Sequence, residues 1–204
     1  LFPDLKVEQV KEIVSTGGSV SVRDVFEHGG THLDPKNFHE MLTSRPPSGR
    51  PPVLLDVRNT FEHAVGHFVG ADGTPAEQPA EMTNFSTFKR EYCKKNADAL
   101  TDRTVMMYCT GGIRCEKASA ALKKHGVREV YQLRGGIHRY LEEYPTGGMF
   151  KGKNFVFDQR VTAGGGGGDV VGRCLACRAP YDELCGSRVC AVCRDLVLVC
   201  PDCR

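Results

Sequence analysis

The sequence lacks any long apolar run. Nowhere in its 204 residues does a stretch approach the roughly 20 apolar residues that a membrane-spanning helix requires. It also lacks a secretory signal peptide, because the first residues carry neither a basic start nor an apolar core. The chain begins with Leu rather than Met, and we expect it to be a fragment. These absences predict a cytoplasmic protein without a membrane partner.

The sequence also has no large excess of positive or negative charge. The 27 Lys and Arg residues nearly balance the 25 Asp and Glu residues, which leaves a formal net charge of +2. Overall charge therefore argues neither for nor against a nucleic-acid partner. With 40% hydrophobic and 25% charged residues, the composition is typical of a globular protein. The length allows one ordinary domain and a smaller appendage.

Signatures of the common redox cofactors are also absent. The sequence contains no G-x-G-x-x-G motif of the dinucleotide-binding kind. It shows no set of residues that could be recognised as a facial triad of metal ligands. A resident redox cofactor is therefore not indicated by any motif in the chain.

Cysteines are scarce in most of the chain and crowded at its end. Only Cys93, Cys109 and Cys115 precede residue 170, and seven more follow within the last 31 residues. Without a signal peptide, this pattern favours a metal site over a disulfide framework. Cys-x-x-Cys spacing lets two thiolates reach one tetrahedral ion from a single turn. The three such pairs are Cys174/Cys177, Cys190/Cys193 and Cys200/Cys203.

Two of these pairs bracket a short segment as in a zinc ribbon. We expect the first and last pairs, Cys174/Cys177 and Cys200/Cys203, to hold one structural zinc ion whose binding helps the tail to fold. The remaining three cysteines could replace one pair or contribute to a second site. They are Cys185, Cys190 and Cys193. Redox-labile thiols without a metal are the alternative interpretation.

Strands and helices alternate through the first 150 residues. Short apolar runs predict buried strands, at 53–58, 105–108 and 129–133. Capping residues and apolar spacing predict helices that begin at Pro35 and that cover 84–100, 116–125 and 137–144. A weakly amphipathic stretch at 5–14 precedes them. The alternation predicts a parallel α/β sheet with helices on both faces.

The most informative stretch is Cys109-Thr110-Gly111-Gly112-Ile113-Arg114. It joins a predicted strand to a predicted helix, where reactive groups of parallel sheets commonly lie. Loop amides, a helix N-terminus and Arg114 would stabilise a thiolate on Cys109. The spacing is C-x4-R, one residue shorter than the C-x5-R loop that encloses a phosphate, so the loop suits a smaller guest such as a persulfide sulfur. An inert buried cysteine is the alternative.

The chain divides into four parts by composition. Residues 1–29 precede the α/β domain, which we place at 30–150. Residues 151–172 include an apolar strap or added strand at 155–157 and a glycine-rich linker, since five consecutive glycines end at Gly168. The cysteine-rich module follows at 173–204.

Four separate motifs resemble the rhodanese (sulfurtransferase) domain over roughly residues 30–145. The motifs are Asp56-Val57-Arg58 with Glu62, Gly66-His67-Phe68 with Gly70-Ala71, the loop from Cys109 to Arg114, and Leu133-Arg134-Gly135-Gly136. The resemblance implies that Cys109 is the active cysteine and that Thr110 to Arg114 form its loop. It also implies that Asp56 and Arg58 brace this loop.

A narrower resemblance is to the rhodanese-type tRNA uridine hydroxylases and to eukaryotic rhodanese-like proteins of the domain-containing-2 type. It rests on 107–119, on 152–158 and on the cysteine-rich tail. It implies formation of 5-hydroxyuridine at the tRNA wobble position, with prephenate as co-substrate. It also implies that residues 1–29 are a remnant of a preceding ferredoxin-like domain. In the tail, Cys190 departs from the family spacing because it intrudes between Cys185 and Cys193.

Three functions remain open on the sequence. The first is an RNA-modifying enzyme in which Cys109 is the reactive thiol and tRNA is the partner. The second is a sulfurtransferase in which Cys109 takes sulfur from a donor such as thiosulfate and carries it as a persulfide. The third is a non-catalytic, zinc-stabilised adaptor for RNA or protein.

Overall fold

The computed structural model describes residues 7–44, 49–79, 82, 84–165, 168–186 and 188–204. Some of the sequence predictions fall on residues outside these ranges. They include the start of the N-terminal segment and of its amphipathic stretch (1–6), two glycines of the linker (166 and 167) and position 187 in the cysteine-rich tail.

Eight strands form the described sheets. They are β1 (Thr31–Leu33), β2 (Val53–Asp56), β3 (Gly66–Phe68), β4 (Thr104–Tyr108), β5 (Glu129–Leu133), β6 (Phe150–Gly152), β7 (Asn154–Phe155) and β8 (Thr162–Ala163). The largest sheet has the order β1-β5-β4-β2, and every pairing in it is parallel. Strand β4 is therefore central, and Cys109 follows directly at its carboxyl end.

Helices cover both faces of this sheet. They are α1 (Val22–His28), α2 (Pro35–Thr43), α3 (Thr60–Val65), α4 (Lys94–Leu100), α5 (Ile113–Lys124) and α6 (Gly136–Glu143). Along β4, Met106 and Tyr108 pack with apolar residues of α2 and α6 on one face. Val105 and Met107 pack with those of α4 and α5 on the other. This arrangement confirms the predicted α/β fold with helices on both faces.

The predicted helix at 84–100 is divided into three types of helix. A 3-10 turn at Phe85–Thr87 leads into a π-helix at Phe88–Cys93, and α4 completes the segment. Phe88 and Tyr92 are four residues apart, and their rings stack with centroids 5.3 Å apart. Both side chains are buried in the layer that also contains α5. The apolar spacing therefore identified the buried side of the segment.

The N-terminal part of the chain differs from the sequence expectation. Residues 7–14 of the predicted amphipathic stretch form no helix, and instead Glu12 accepts hydrogen bonds from the backbone and hydroxyl of Thr16. A helix occurs later, at α1, where Ser21 and Asp24 form a capping box. The apolar residues of α1 do have helical spacing, but the helix has only seven residues, fewer than the about 11 over which such periodicity is recognised.

The segment after the main sheet packs back onto it. Strand β6 pairs with β3, and β7 pairs with β8, both antiparallel. Leu184 and Leu198 of the cysteine-rich tail form a small cluster with Val65 and Phe155. Among the described residues, no helix is both long and apolar enough to cross a membrane.

Candidate active site

The candidate site is built where β4 ends and α5 begins. Gly112 adopts φ 90°, a left-handed conformation that glycine tolerates at little cost, and this turns the chain into α5. The turn directs the Gly112 amide at the Cys109 sulfur, with an N–Sγ distance of 3.1 Å. Cys109 is fully buried. The predicted loop from Cys109 to Arg114 thus curls around its own cysteine.

The N-terminus of α6 holds the other side of the same loop. Ile137 donates its amide hydrogen to the Cys109 carbonyl (3.0 Å), and His138 donates to the Thr110 carbonyl (3.1 Å). Gly136 lies so close that a Cβ there would be 2.4 Å from the Cys109 carbonyl oxygen. A side chain at this position would therefore push the cysteine loop away from α6. This close approach explains the glycine at position 136.

Arg114 is turned toward a carboxylate. Its Nη1 and Nη2 atoms donate to the two Glu62 oxygens at 2.6 and 2.8 Å, and Nη2 also lies 3.2 Å from the Thr110 hydroxyl. The Arg114 side chain is 9% exposed and that of Glu62 is fully buried. The bidentate pair ties α3 to the cysteine loop, and charge-assisted bonds of this kind are among the stronger hydrogen bonds.

The surroundings of Cys109 favour its thiolate. Burial alone raises the pKa of the Cys109 thiol, but a hydrogen bond from Cys115, the charge of Arg114 and the amides of Arg114 and Cys115 outweigh this effect and lower the pKa to about 6. Burial and the neighbouring Cys109 raise the pKa of Cys115 well above its usual range. At neutral pH, Cys115 is thus a thiol that donates to a thiolate, and only Cys109 has the form that acts as a nucleophile.

We expect alkylation of Cys109 by iodoacetamide to rise with pH around a midpoint near 6. An ordinary cysteine has its midpoint near pH 8.5. Because the thiolate is the reacting form, the rate should fall as the pH drops through 6 and should be level above about pH 7. Peptide mass mapping measures the rate at each cysteine. Cys93 is an internal control, since burial raises the pKa of its thiol to about 12. A Cys109 midpoint between pH 8 and 9 would contradict this electrostatic account.

The predicted supporting residues Asp56 and Arg58 form a second buried pair. Arg58 donates through Nε and Nη2 to Asp56, and the Tyr108 hydroxyl and His63 Nδ1 each lie 2.9 Å from the same Asp56 oxygen. Arg58 also donates to the Gly66 carbonyl. These contacts join the ends of β2 and β4 just before Cys109. That Asp56 and Arg58 brace the loop itself stays a prediction.

Glu62 is absent from the site residues predicted by sequence. It lies 52 positions from Arg114 in the chain, so no local spacing links the two. One local signal was available: Asn59 and Glu62 have the spacing of a capping box, and the Asn59 amide does donate to Glu62 at 2.9 Å. That signal indicates a helix start. It does not reveal that the same carboxylate also binds Arg114.

Four of the seven tail cysteines converge. The sulfur atoms of Cys174, Cys177, Cys200 and Cys203 all lie within 4.8 Å of one another. Cys177 and Cys200 are 3.6 Å apart. These sulfurs are placed where they could hold a metal ion. Cys185, Cys190 and Cys193 do not join this group, and they form no comparable cluster among the residues that the structure describes.

The pair Cys190/Cys193 nevertheless has the same backbone turn as Cys174/Cys177. Cys174 donates its amide to Ala179 O (2.9 Å) and Cys190 to Asp195 O (2.8 Å). The arginine after each pair, at 178 and 194, has φ 65°. Spacing therefore predicts the shape of each turn correctly, but only one of the two turns meets a second pair of thiols.

Two family models match the chain. The rhodanese-like domain model covers residues 34–143, and the model described as Rhodanase C-terminal covers 151–204. The chain therefore belongs to the rhodanese-like domain family, which confirms the family predicted from its motifs.

Several proteins with curated names are similar to this chain over nearly its whole length. Rhodanese-like domain-containing protein 6 of Arabidopsis thaliana is 38% identical over 208 residues, which cover 100% of this chain and 35% of that protein. A tRNA uridine(34) hydroxylase of Pseudarthrobacter chlorophenolicus is 38% identical over 208 residues, with 99% and 67% covered. The chain thus spans about a third of the plant relative and two thirds of the bacterial one. Among solved structures, the rhodanese-like domain of an Anabaena sp. protein aligns with a TM-score of 0.43 and 22% identity, covering 70% of this chain and 92% of that one.

Proposed function

We propose that this chain is the cysteine-bearing part of an enzyme that hydroxylates uridine 34, the wobble uridine of tRNA. The proposal is carried by the chain-long similarity to a bacterial protein named tRNA uridine(34) hydroxylase, which covers 99% of this chain at 38% identity. A rhodanese-like fold alone would not single out this substrate, because one fold serves many reactions. The similarity also extends through the cysteine-rich tail as well as the cysteine loop.

In this proposal, Cys109 is the catalytic residue and tRNA is the partner. The thiolate would be ready at neutral pH, since the pKa of Cys109 is lowered to about 6. The Gly112 amide and the charge of Arg114 would stabilise the sulfur as an anion. Thr110, Gly111 and Ile113 complete the proposed loop. Prephenate is proposed as co-substrate on the family resemblance alone.

Zinc is the metal that we propose for the tail. A tetrahedral zinc site with Zn–S bonds of about 2.3 Å places its sulfurs about 3.8 Å apart. The Cys177–Cys200 separation of 3.6 Å fits this value. The Cys200 amide lies 3.4 Å from the Cys174 sulfur, a contact that favours a thiolate ligand. Cys174, Cys177, Cys200 and Cys203 would hold the ion, and its role would be structural.

The proposed function predicts that Cys109→Ser abolishes 5-hydroxyuridine at position 34. The full-length protein carrying this chain would be deleted from its cell and replaced by wild type, Cys109→Ser or Cys93→Ser. Mass spectrometry of tRNA nucleosides measures the product. Cys93 is a matched control, because it is also buried but lies outside the loop. Full 5-hydroxyuridine in the Cys109→Ser cells would contradict the proposal and would favour the adaptor hypothesis.

A sulfurtransferase is the second candidate, and the short loop around Cys109 favours it. In that reaction the Cys109 thiolate attacks the outer sulfur of thiosulfate. The sulfur–sulfur bond of thiosulfate breaks, sulfite leaves with its electron pair, and a persulfide forms on Cys109. Intact-mass measurement after thiosulfate treatment would show the gain of one sulfur atom in wild type and none in Cys109→Ser. Rhodanese-family membership fits this activity too, although it points to no particular acceptor.

A further inference from the structure

Phe157 is an aromatic ring exposed beside the candidate site. The side chain is 68% exposed, although it follows the buried Phe155 by only two residues. A single exposed apolar side chain is common on protein surfaces, so its neighbours decide whether it belongs to a site. Nothing in the site described above explains why this ring faces solvent.

The ring is held in place by its neighbours. Phe155 meets it edge-on at 5.0 Å and in turn meets Phe61 edge-on at 5.2 Å. The turn between β7 and β8 is closed by the Val156 amide, which donates to the Val161 carbonyl at 2.9 Å. Phe157 is therefore presented by a tight turn that rests on α3. Such a ring loses little conformational freedom when it binds a ligand.

The position of the ring links it to the cysteine loop. The Arg114 guanidinium carbon lies 5.7 Å from the centroid of the Phe157 ring, within the range of a cation–π contact. The same guanidinium group reaches the hydroxyl of Thr110, the residue after Cys109. Cys109 itself is fully buried, and the exposed residues of its loop are Gly111 and Ile113. Phe157 is thus an exposed ring in contact with the arginine that ends the cysteine loop.

We propose that Phe157 is a positioning residue that stacks on the nucleobase brought to Cys109. The inference rests on the proposed function and names the part of the RNA that is recognised. An apolar ring forms no ion pair with a phosphate and no conventional hydrogen bond with a ribose hydroxyl, whereas bases of unpaired RNA stack on aromatic side chains. Here one ring and one guanidinium group lie together next to the reactive loop. The three residues that follow in the chain are polar, namely Asp158, Gln159 and Arg160.

The absence of tryptophan from the chain makes a direct test possible. Phe157→Trp introduces a single tryptophan next to Arg114, which can be excited selectively over the six tyrosines, and Phe26→Trp introduces one in α1 at a position that is 86% exposed in wild type. The probe is an anticodon stem–loop RNA with uridine at the wobble position. We expect the RNA to quench fluorescence in Phe157→Trp and to leave Phe26→Trp unchanged. Anisotropy of a labelled RNA reports complex formation independently.

A second comparison separates stacking from a purely structural role. Phe157→Leu should weaken RNA binding by about 5- to 150-fold, the loss typical of one base–aromatic stack. Phe157→Tyr should bind within about twofold of wild type, because it keeps a stacking ring. The pH midpoint of Cys109 alkylation should be unchanged in Phe157→Leu, whereas a distorted loop would move it.

The outcomes distinguish this inference from the proposed function. A complex that forms without quenching at position 157, or equal binding by Phe157→Leu and wild type, would overturn the role of Phe157 and leave tRNA as the substrate. If the anisotropy shows no complex at all, the substrate class is wrong and both proposals fall.

Discussion

Replacing Glu62 by Gln is expected to lower the free energy of unfolding by about 3 to 5 kcal/mol. The substitution keeps the shape of the side chain and removes its charge. Arg114, whose side chain is only 9% exposed, would then be a buried cation that has lost its paired carboxylate and keeps only the Cys109 thiolate as a nearby anion. Removing one partner of a buried ion pair lowers the stability by more than the intact pair contributes to it, because the remaining charge is buried without its partner.

An exposed pair provides the matched control. Arg139 and Glu142 are 2.7 Å apart, but their side chains are 66% and 48% exposed. Glu142→Gln should therefore change the free energy of unfolding by less than about 1 kcal/mol. Urea unfolding followed by circular dichroism measures both variants. If Glu62→Gln were as stable as Glu142→Gln, the Glu62–Arg114 pair could not be what holds α3 to the cysteine loop.

This pair also shows where prediction from sequence stopped. The cysteine loop was predictable because all of its features are local: an apolar strand, two glycines, a helix and an arginine at fixed spacing. Fold class followed from alternating patterns of the same kind. The partner of Arg114 comes from a helix 52 positions away, and its identity depends on how β2 and β4 are paired. Chain topology, and not spacing, decides which carboxylate reaches the arginine.

Helix α1 and the cysteine-rich tail are two further places where the sequence pattern was not sufficient for a structural prediction. Helix α1 was missed although its apolar residues have helical spacing, because seven residues are too few for that periodicity to be recognised. In the tail, two Cys-x-x-Cys turns have nearly the same backbone, yet only Cys174/Cys177 meets Cys200/Cys203. The spacing that predicts a metal-binding turn does not predict its partner. Which two pairs of cysteines meet depends on how the tail packs against β7 and α3.

Loss of the zinc ion that we propose for the tail is the second large effect that we expect. Apart from its cysteines, the described part of the tail buries two leucines, Leu184 and Leu198, against Val65 and Phe155, and two further tail residues are partly buried beside them. So small a core cannot order about 30 residues by itself. Binding of a structural zinc supplies about 10 kcal/mol or more to domains of this size. Cys200→Ser should therefore release the metal and make residues 173–204 sensitive to protease.

Native mass spectrometry and limited proteolysis would measure both effects. Cys193→Ser is the control, since Cys193 is exposed and lies outside the four-sulfur cluster. It should keep one bound zinc and a protected tail, whereas a chelator should reproduce the Cys200→Ser result in wild type. The α/β domain should stay folded in every case, because its two core layers do not include tail residues. Loss of one of two ions in Cys193→Ser would show that Cys193 takes part in a second metal site. A metal-free wild type with a protected tail would mean that packing on Val65 and Phe155 is sufficient to fold it.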